Sequence, residues 1–129
     1  MFQKMLQGGS SGLTVELLWT NENKATSFSP QTINFDLSLY DGVFIEIARH
    51  TTVTNGNGIS YLPINSEERL ITSGNEGSGY TSVRYATVTS NGVTFGKGGY
   101  CLNNGKNIVY GDDSGIPTRI WGVKGLDIS

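Results

Sequence analysis

His50 is the only histidine and Cys101 the only cysteine in this 129-residue chain. A Cys-His or Ser-His-Asp site needs nucleophile and base within hydrogen-bond reach of each other. Nothing in the local sequence joins His50 to Cys101, and Cys101 reads as a small buried hydrophobe. Zinc draws three or four ligands from His, Cys and carboxylates, so one of each makes no site. A lone cysteine forms no internal disulfide, which suits a reducing compartment.

Two carboxylate pairs, Glu67-Glu68 and Asp112-Asp113, invite comparison with glycosidase acids. Neighbours on an extended chain point to opposite sides, so neither pair is a ready acid/base set. Glu16 and Glu46 fall on strands and read as solvent-facing charges. Asp112-Asp113-Ser114-Gly115 is oxygen-rich but lacks the alternating ligands and closing Glu of a calcium loop; it reads as a turn. Gly96-Lys97-Gly98-Gly99 lacks the Gly-Lys-Ser/Thr ending and the following helix of a phosphate loop. No residue set supports an enzyme, and no metal or cofactor is expected.

Binding chemistry is better supplied. Saccharides are held by aromatic faces together with polar donors and acceptors. The chain offers Trp19, Tyr61, Tyr80, Tyr85, Tyr100, Tyr110 and Trp121, although aromatics of this kind also fill cores and cross-strand pairs. Loops on a rigid scaffold are where recognition sits. The ligand-binding residues expected on that basis are Tyr100, Asn103, Asn104, Asp112 and Asp113.

The elements that must position them have a period of two. Leu13, Val15, Leu17 and Trp19 share one expected inward face, as do Ile33, Phe35 and Leu37, and then Val43, Ile45 and Ile47. Phe44 on the opposite face marks the third strand as central. Further strands are expected over 59–64, 69–72 and 80–89, the last turning at Ser90-Asn91-Gly92 into Val93-Thr94-Phe95. Gly96, Gly98 and Gly99 bend the chain, with a bulge as one means. Short strands over 100–102 and 107–110 and a last one from Ile116 to Val123 complete the set. The expected fold is all-β: an antiparallel β-sandwich of about eight or nine strands, with jelly-roll topology as one option.

Composition agrees. Charged residues are only 16% of the chain and glycines number 18, as short strands with tight turns require. With a net charge of −2 and no basic stripe, the footprint of a nucleic-acid binder is missing. No apolar run approaches the ~20 residues of a membrane span, and Met1 to Leu6 lacks the core of a signal peptide. The expected place of synthesis is the cytoplasm. Residues 1–12 stand apart from the 13–129 domain. Phe2, Met5 and Leu6 are apolar at helical spacing, and Gln7 to Gly12 reads as a flexible linker. The segment reads either as a solvated start or as an apolar tag for a partner.

Four segments together carry a resemblance. They are Glu16-Leu17-Leu18-Trp19-Thr20-Asn21, Phe28-Ser29-Pro30-Gln31-Thr32-Ile33, Leu37 through Glu46, and Ile116-Pro117-Thr118-Arg119-Ile120-Trp121-Gly122-Val123-Lys124. Over residues 13–124 the chain resembles small β domains from tail gene clusters of phages and prophages of Gram-positive gut bacteria. The resemblance implies a non-enzymatic virion protein, made in the host cytoplasm. It would be a tail-associated fibre or receptor-binding domain recognising host cell-wall carbohydrate. The alternative is a head fibre or capsid decoration protein without a ligand. It also implies a homo-oligomer, a trimer being one form, attached to other virion proteins. Phe2, Met5 and Leu6 would provide that attachment. Its motifs are strand patterns, so it transfers no functional residue.

Overall fold

The computed structural model describes residues 13–52, 57–74, 80–102 and 107–125. Among them are nine strands and no helix: β1 (Thr14–Thr20), β2 (Gln31–Asn34), β3 (Gly42–His50), β4 (Gly58–Pro63), β5 (Ser66–Thr72), β6 (Tyr80–Thr89), β7 (Gly92–Leu102), β8 (Ile108–Tyr110) and β9 (Ser114–Lys124). One sheet runs β1-β9-β3-β4. The other runs β2-β7-β6-β5, with β8 also pairing β7. All pairings are antiparallel. The sheets face each other as a β-sandwich. Chain-distant strands pair in nested fashion, β1 with β9 and β2 with β7, as in a jelly roll. The β3–β4 hairpin and the β5–β6–β7 meander are local.

The period-two pattern becomes two inner faces. Val43, Ile45 and Ile47 of β3, Ala86 and Val88 of β6, Val93 and Phe95 of β7, and Ile116 and Ile120 of β9 meet in one core with Leu37, Leu62 and Ile71. β3 is central, between β9 and β4, and Phe44 faces outward against Tyr61, the ring centroids 5.6 Å apart. The Ser90-Asn91-Gly92 turn joins β6 to β7, with Gly92 at φ 144°. The glycine bend is a bulge. Arg84 opposes Gly98 and Ala86 opposes Phe95, so Gly96 and Lys97 share one partner position. The runs 93–95 and 100–102 are therefore one strand.

Three expectations are corrected. Val15 and Leu17 face outward, 44% and 54% exposed, because a bulge between Leu17 and Trp19 shifts the register of β1. Leu18 and Trp19 pack on the core instead. Glu46 is not a free surface charge. Its carboxylate accepts from Thr118 Oγ1 at 2.6 Å and lies 3.3 Å from Arg119 Nε. Glu16 is exposed as expected and accepts from the Tyr40 hydroxyl at 3.0 Å. Burial, then this bond, holds the Tyr40 phenol above its usual range. Cys101 is only half-buried, its Sγ 3.7 Å from Thr81 O.

Arg84 of β6 is fully buried and points across the sandwich. Its Nε donates to Gly115 O at 2.6 Å, Nη1 to Gly96 O at 2.8 Å, and Nη2 to Ser114 O at 3.2 Å with a longer 3.5 Å approach to Asp112 O. The guanidinium also lies 5.2 Å from the centroid of the Phe28 ring. One side chain thus ties β6 and β7 of one sheet to the start of β9 in the other. Gly98 is required beside it: a Cβ there would meet Arg84 Nη2 at 2.4 Å. Gly115 is required too, at φ +62° with a Cβ position only 2.2 Å from Val83 O.

Arg84→Met keeps the volume but leaves backbone carbonyls that no mutation can remove, so it should cost roughly 3 kcal/mol in denaturant unfolding. Arg84→Lys should recover little, since one ammonium cannot span the guanidinium's fork of acceptors. Gly115→Ala should cost about 2 kcal/mol or more through left-handed backbone strain plus overlap. Gly111→Ala, with nothing within 4 Å of the new Cβ, should stay within about 0.5 kcal/mol of the parent.

Candidate functional site: a tyrosine-lined groove

The far ends of β3 and β7 and the first residues of β6 and β9 meet at one end of the sandwich. Between them is a groove of about 340 Å³ lined by Arg49, His50, Thr52, Tyr80, Ser82, Tyr100 and Ser114. That volume lies in the small-molecule range of roughly 300–1,000 Å³. The β3–β4, β5–β6 and β7–β8 connections all leave from this end.

The bulge at Gly96 and Lys97 builds the groove's aromatic wall. A plain hairpin from Thr89 and Gly92 would set Tyr80 against Cys101, placing Tyr80 and Tyr100 on opposite faces. The extra residue sets Tyr80 against Leu102 and Ser82 against Tyr100. Both rings then stand on the inward face, as diagonal neighbours. Their centroids lie 5.2 Å apart at 83°, edge to face. Tyr80 is 44% exposed, so its ring is open to a ligand at the mouth.

Polar groups surround the pair. Ser82 Oγ donates to Arg49 O at 2.5 Å and pins the two sheets at the groove floor. His50 opposes Ser114 across β3 and β9. The His50 Nδ1 accepts the Thr52 amide N–H at 3.2 Å and lies 3.1 Å from the Thr52 hydroxyl. Among the described residues, no carboxylate lines the groove. Among them its lining is an aromatic face, hydroxyls, the His50 imidazole and the already partnered Arg49 side chain. Such a set can stack on and hydrogen-bond a polyhydroxylated ligand.

The residues named from sequence divide. Tyr100 is in the groove. Asp112 and Asp113 sit on the turn entering β9, beside groove-lining Ser114, and do not line the groove. Asp112 O accepts from Phe28 N at 2.9 Å and Asp113 O from Thr51 N at 3.0 Å. The Asp113 carboxylate is bonded by the Ser27 hydroxyl. Asn103 and Asn104, and likewise Phe2, Met5 and Leu6, lie outside the described residues. Arg49, His50, Thr52, Ser82 and Ser114 were not singled out for the site, and Tyr80 was offered only among the chain's aromatics. The glycine bulge could have pointed to Tyr80; the β3–β9 pairing that brings His50 to Ser114 left no local signal. Among the described residues, no three of His, Cys, Asp and Glu gather as a metal site.

A larger cleft of about 450 Å³ runs beside Trp19, Asn21 and Gln31. Its best polar group is already used: Asn21 Nδ2 donates to Pro117 O at 2.9 Å, and Oδ1 accepts from Asn23 N at 2.8 Å. Its Trp19 ring is turned to Phe28 and Phe95, centroids 6.2 and 6.4 Å away. The tyrosine groove is the better candidate.

A double-mutant cycle of Tyr80→Leu and Tyr100→Leu should show a coupling of about 0.5–1.5 kcal/mol in unfolding. Independent effects would mean that the rings do not form one wall.

No protein-family model, curated protein or solved structure is significantly similar to this chain.

Proposed function

We propose that this chain is a non-enzymatic recognition module of a bacteriophage virion, a tail-associated domain that holds host surface carbohydrate in the tyrosine-lined groove. The observation that carries the reading is the Tyr80–Tyr100 wall, open at the mouth and flanked by Ser82, Ser114, Thr52, His50 and Arg49. Sugar rings present C–H faces to aromatic rings and hydroxyls to paired donors and acceptors, and this groove offers both. The virion setting rests on the resemblance of the four sequence segments over residues 13–124 to phage tail β domains. The rigid sandwich supports the role, since a preformed site orders little on binding.

The test is glycan-array binding followed by calorimetry with the host's own wall polysaccharides. The full chain should bind at least one wall saccharide. Tyr100→Ala should weaken that binding at least tenfold, about 1.4 kcal/mol. Tyr110→Ala, on the opposite face of the β2-β7-β6-β5 sheet and 53% exposed, should leave it unchanged. Silence across all wall polymers, or equal loss in both variants, would sink the proposal.

A further inference from the structure

Gly96-Lys97-Gly98-Gly99 has no phosphate-loop helix, but it sits at a break in one edge of its sheet. β6 occupies one side of β7, and β2 and β8 share the other. On that shared side β2 pairs from Gly92 to Phe95, and β8 pairs from Gly99 to Cys101. Gly96, Lys97 and Gly98 fall between the two ladders. The break opens a cleft of about 320 Å³ lined by Pro30, Lys97, Gly98, Tyr110, Gly111 and Asp112. It shares no lining residue with the tyrosine groove.

Two cations stand against this cleft. Lys97 is exposed, its Nζ 5.4 Å from the centroid of the Tyr110 ring. Among the described residues no carboxylate pairs with it. The Tyr110 hydroxyl lies 3.5 Å from that of Tyr85, so the ring that backs the ammonium is itself held. The second cation is Arg84, fully buried directly behind two lining residues. Its Nη2 lies 3.5 Å from Asp112 O, and a Cβ on Gly98 would meet it at 2.4 Å. Its hydrogen bonds go to backbone carbonyls, so it acts on the cleft through its charge, across protein rather than water.

Against these two the lining holds one carboxylate, Asp112. Glu68 lies beyond Gly96, its Oε2 3.6 Å from the position of a Gly96 Cβ, and is outside the lining. Gly111 leaves part of the wall bare: a Cβ added there would meet nothing within 4 Å. The result is a recess at a sheet edge with cations in excess, the kind of concavity that takes anions. Its volume is near the bottom of the small-molecule range and suits one charged group and the ring that carries it.

We propose that this cleft is a second binding site, one for an oxyanion, phosphate or carboxylate, that Lys97 contacts directly. The inference is independent of the carbohydrate reading of the tyrosine groove.

The test titrates the full chain with inorganic phosphate, with glucuronate and with uncharged glucose at constant ionic strength, followed by ¹⁵N NMR. Phosphate or glucuronate should shift the Lys97, Gly98 and Gly111 signals along saturating curves, and the tighter of the two names the source of the charge. Glucose should not move them, whatever it does at Tyr80 and Tyr100. Lys97→Gln should weaken the anion at least tenfold, the measure of one lost charge-assisted hydrogen bond, and Lys97→Arg should keep most of the affinity. Asp112→Asn should tighten binding, because the opposing charge is gone. Tyr100→Ala, in the other groove, should leave these shifts as they are. Shifts that rise without saturating, that survive Lys97→Gln or that glucose reproduces would overturn the proposal. So would weaker binding in a folded Asp112→Asn variant.

Discussion

The buried guanidinium of Arg84 is the interaction on which the rest of the structure depends. Its hydrogen-bond partners are all backbone carbonyls, of Gly96, Ser114, Gly115 and, at longer range, Asp112. Desolvation pulls its pKa down to about 10, and the nearby Asp112 charge works against that. The group therefore remains a cation at neutral pH. Burying such a charge is costly unless its donors are met, and here the main chain of both sheets meets them. A hydrophobic replacement would remove the charge but not the carbonyls' need for partners. That distinguishes this arginine from a buried side-chain ion pair, which apolar residues can often replace.

The same contacts fix local backbone shape. Gly98 must be glycine because the guanidinium occupies the space of its Cβ, and Gly115 because β9 approaches the Val83 main chain. Between them the β7 bulge holds Gly96 O toward Arg84. That bulge sets the register that brings Tyr80 and Tyr100 to one face. The β9 start that Arg84 holds also presents Ser114 opposite His50. Clamp and groove are therefore one construction: packing at Arg84 determines which side chains reach the mouth of the sandwich.

The fold class was legible in the sequence because alternation and turn chemistry are local. Ile33/Phe35/Leu37 and Val43/Ile45/Ile47 announce an inner face, and Ser90-Asn91-Gly92 announces a hairpin. Face assignment failed at β1, where the Leu17–Trp19 bulge reversed the parity with no Gly or Pro to announce it. Glu46 was misjudged because its partners, Thr118 and Arg119, lie more than seventy positions away in the chain. Of the candidate groove's lining, only Tyr100 was among the ligand-binding residues expected from the sequence. Its other members come from β3, β6 and β9, whose meeting depends on long-range pairing. Arg84 looked like one more strand residue, since burial of a cation is set by what surrounds it in three dimensions.

The most direct measurement is the exchange behaviour of the Arg84 guanidinium protons, followed by ¹⁵N NMR at neutral pH. A clamp donating to Gly115, Gly96 and Ser114 predicts a resolved Nε–H resonance that exchanges as slowly as the amides of β6 and β9. Rapid exchange of that proton with solvent, while the neighbouring amides stay protected, would contradict the account.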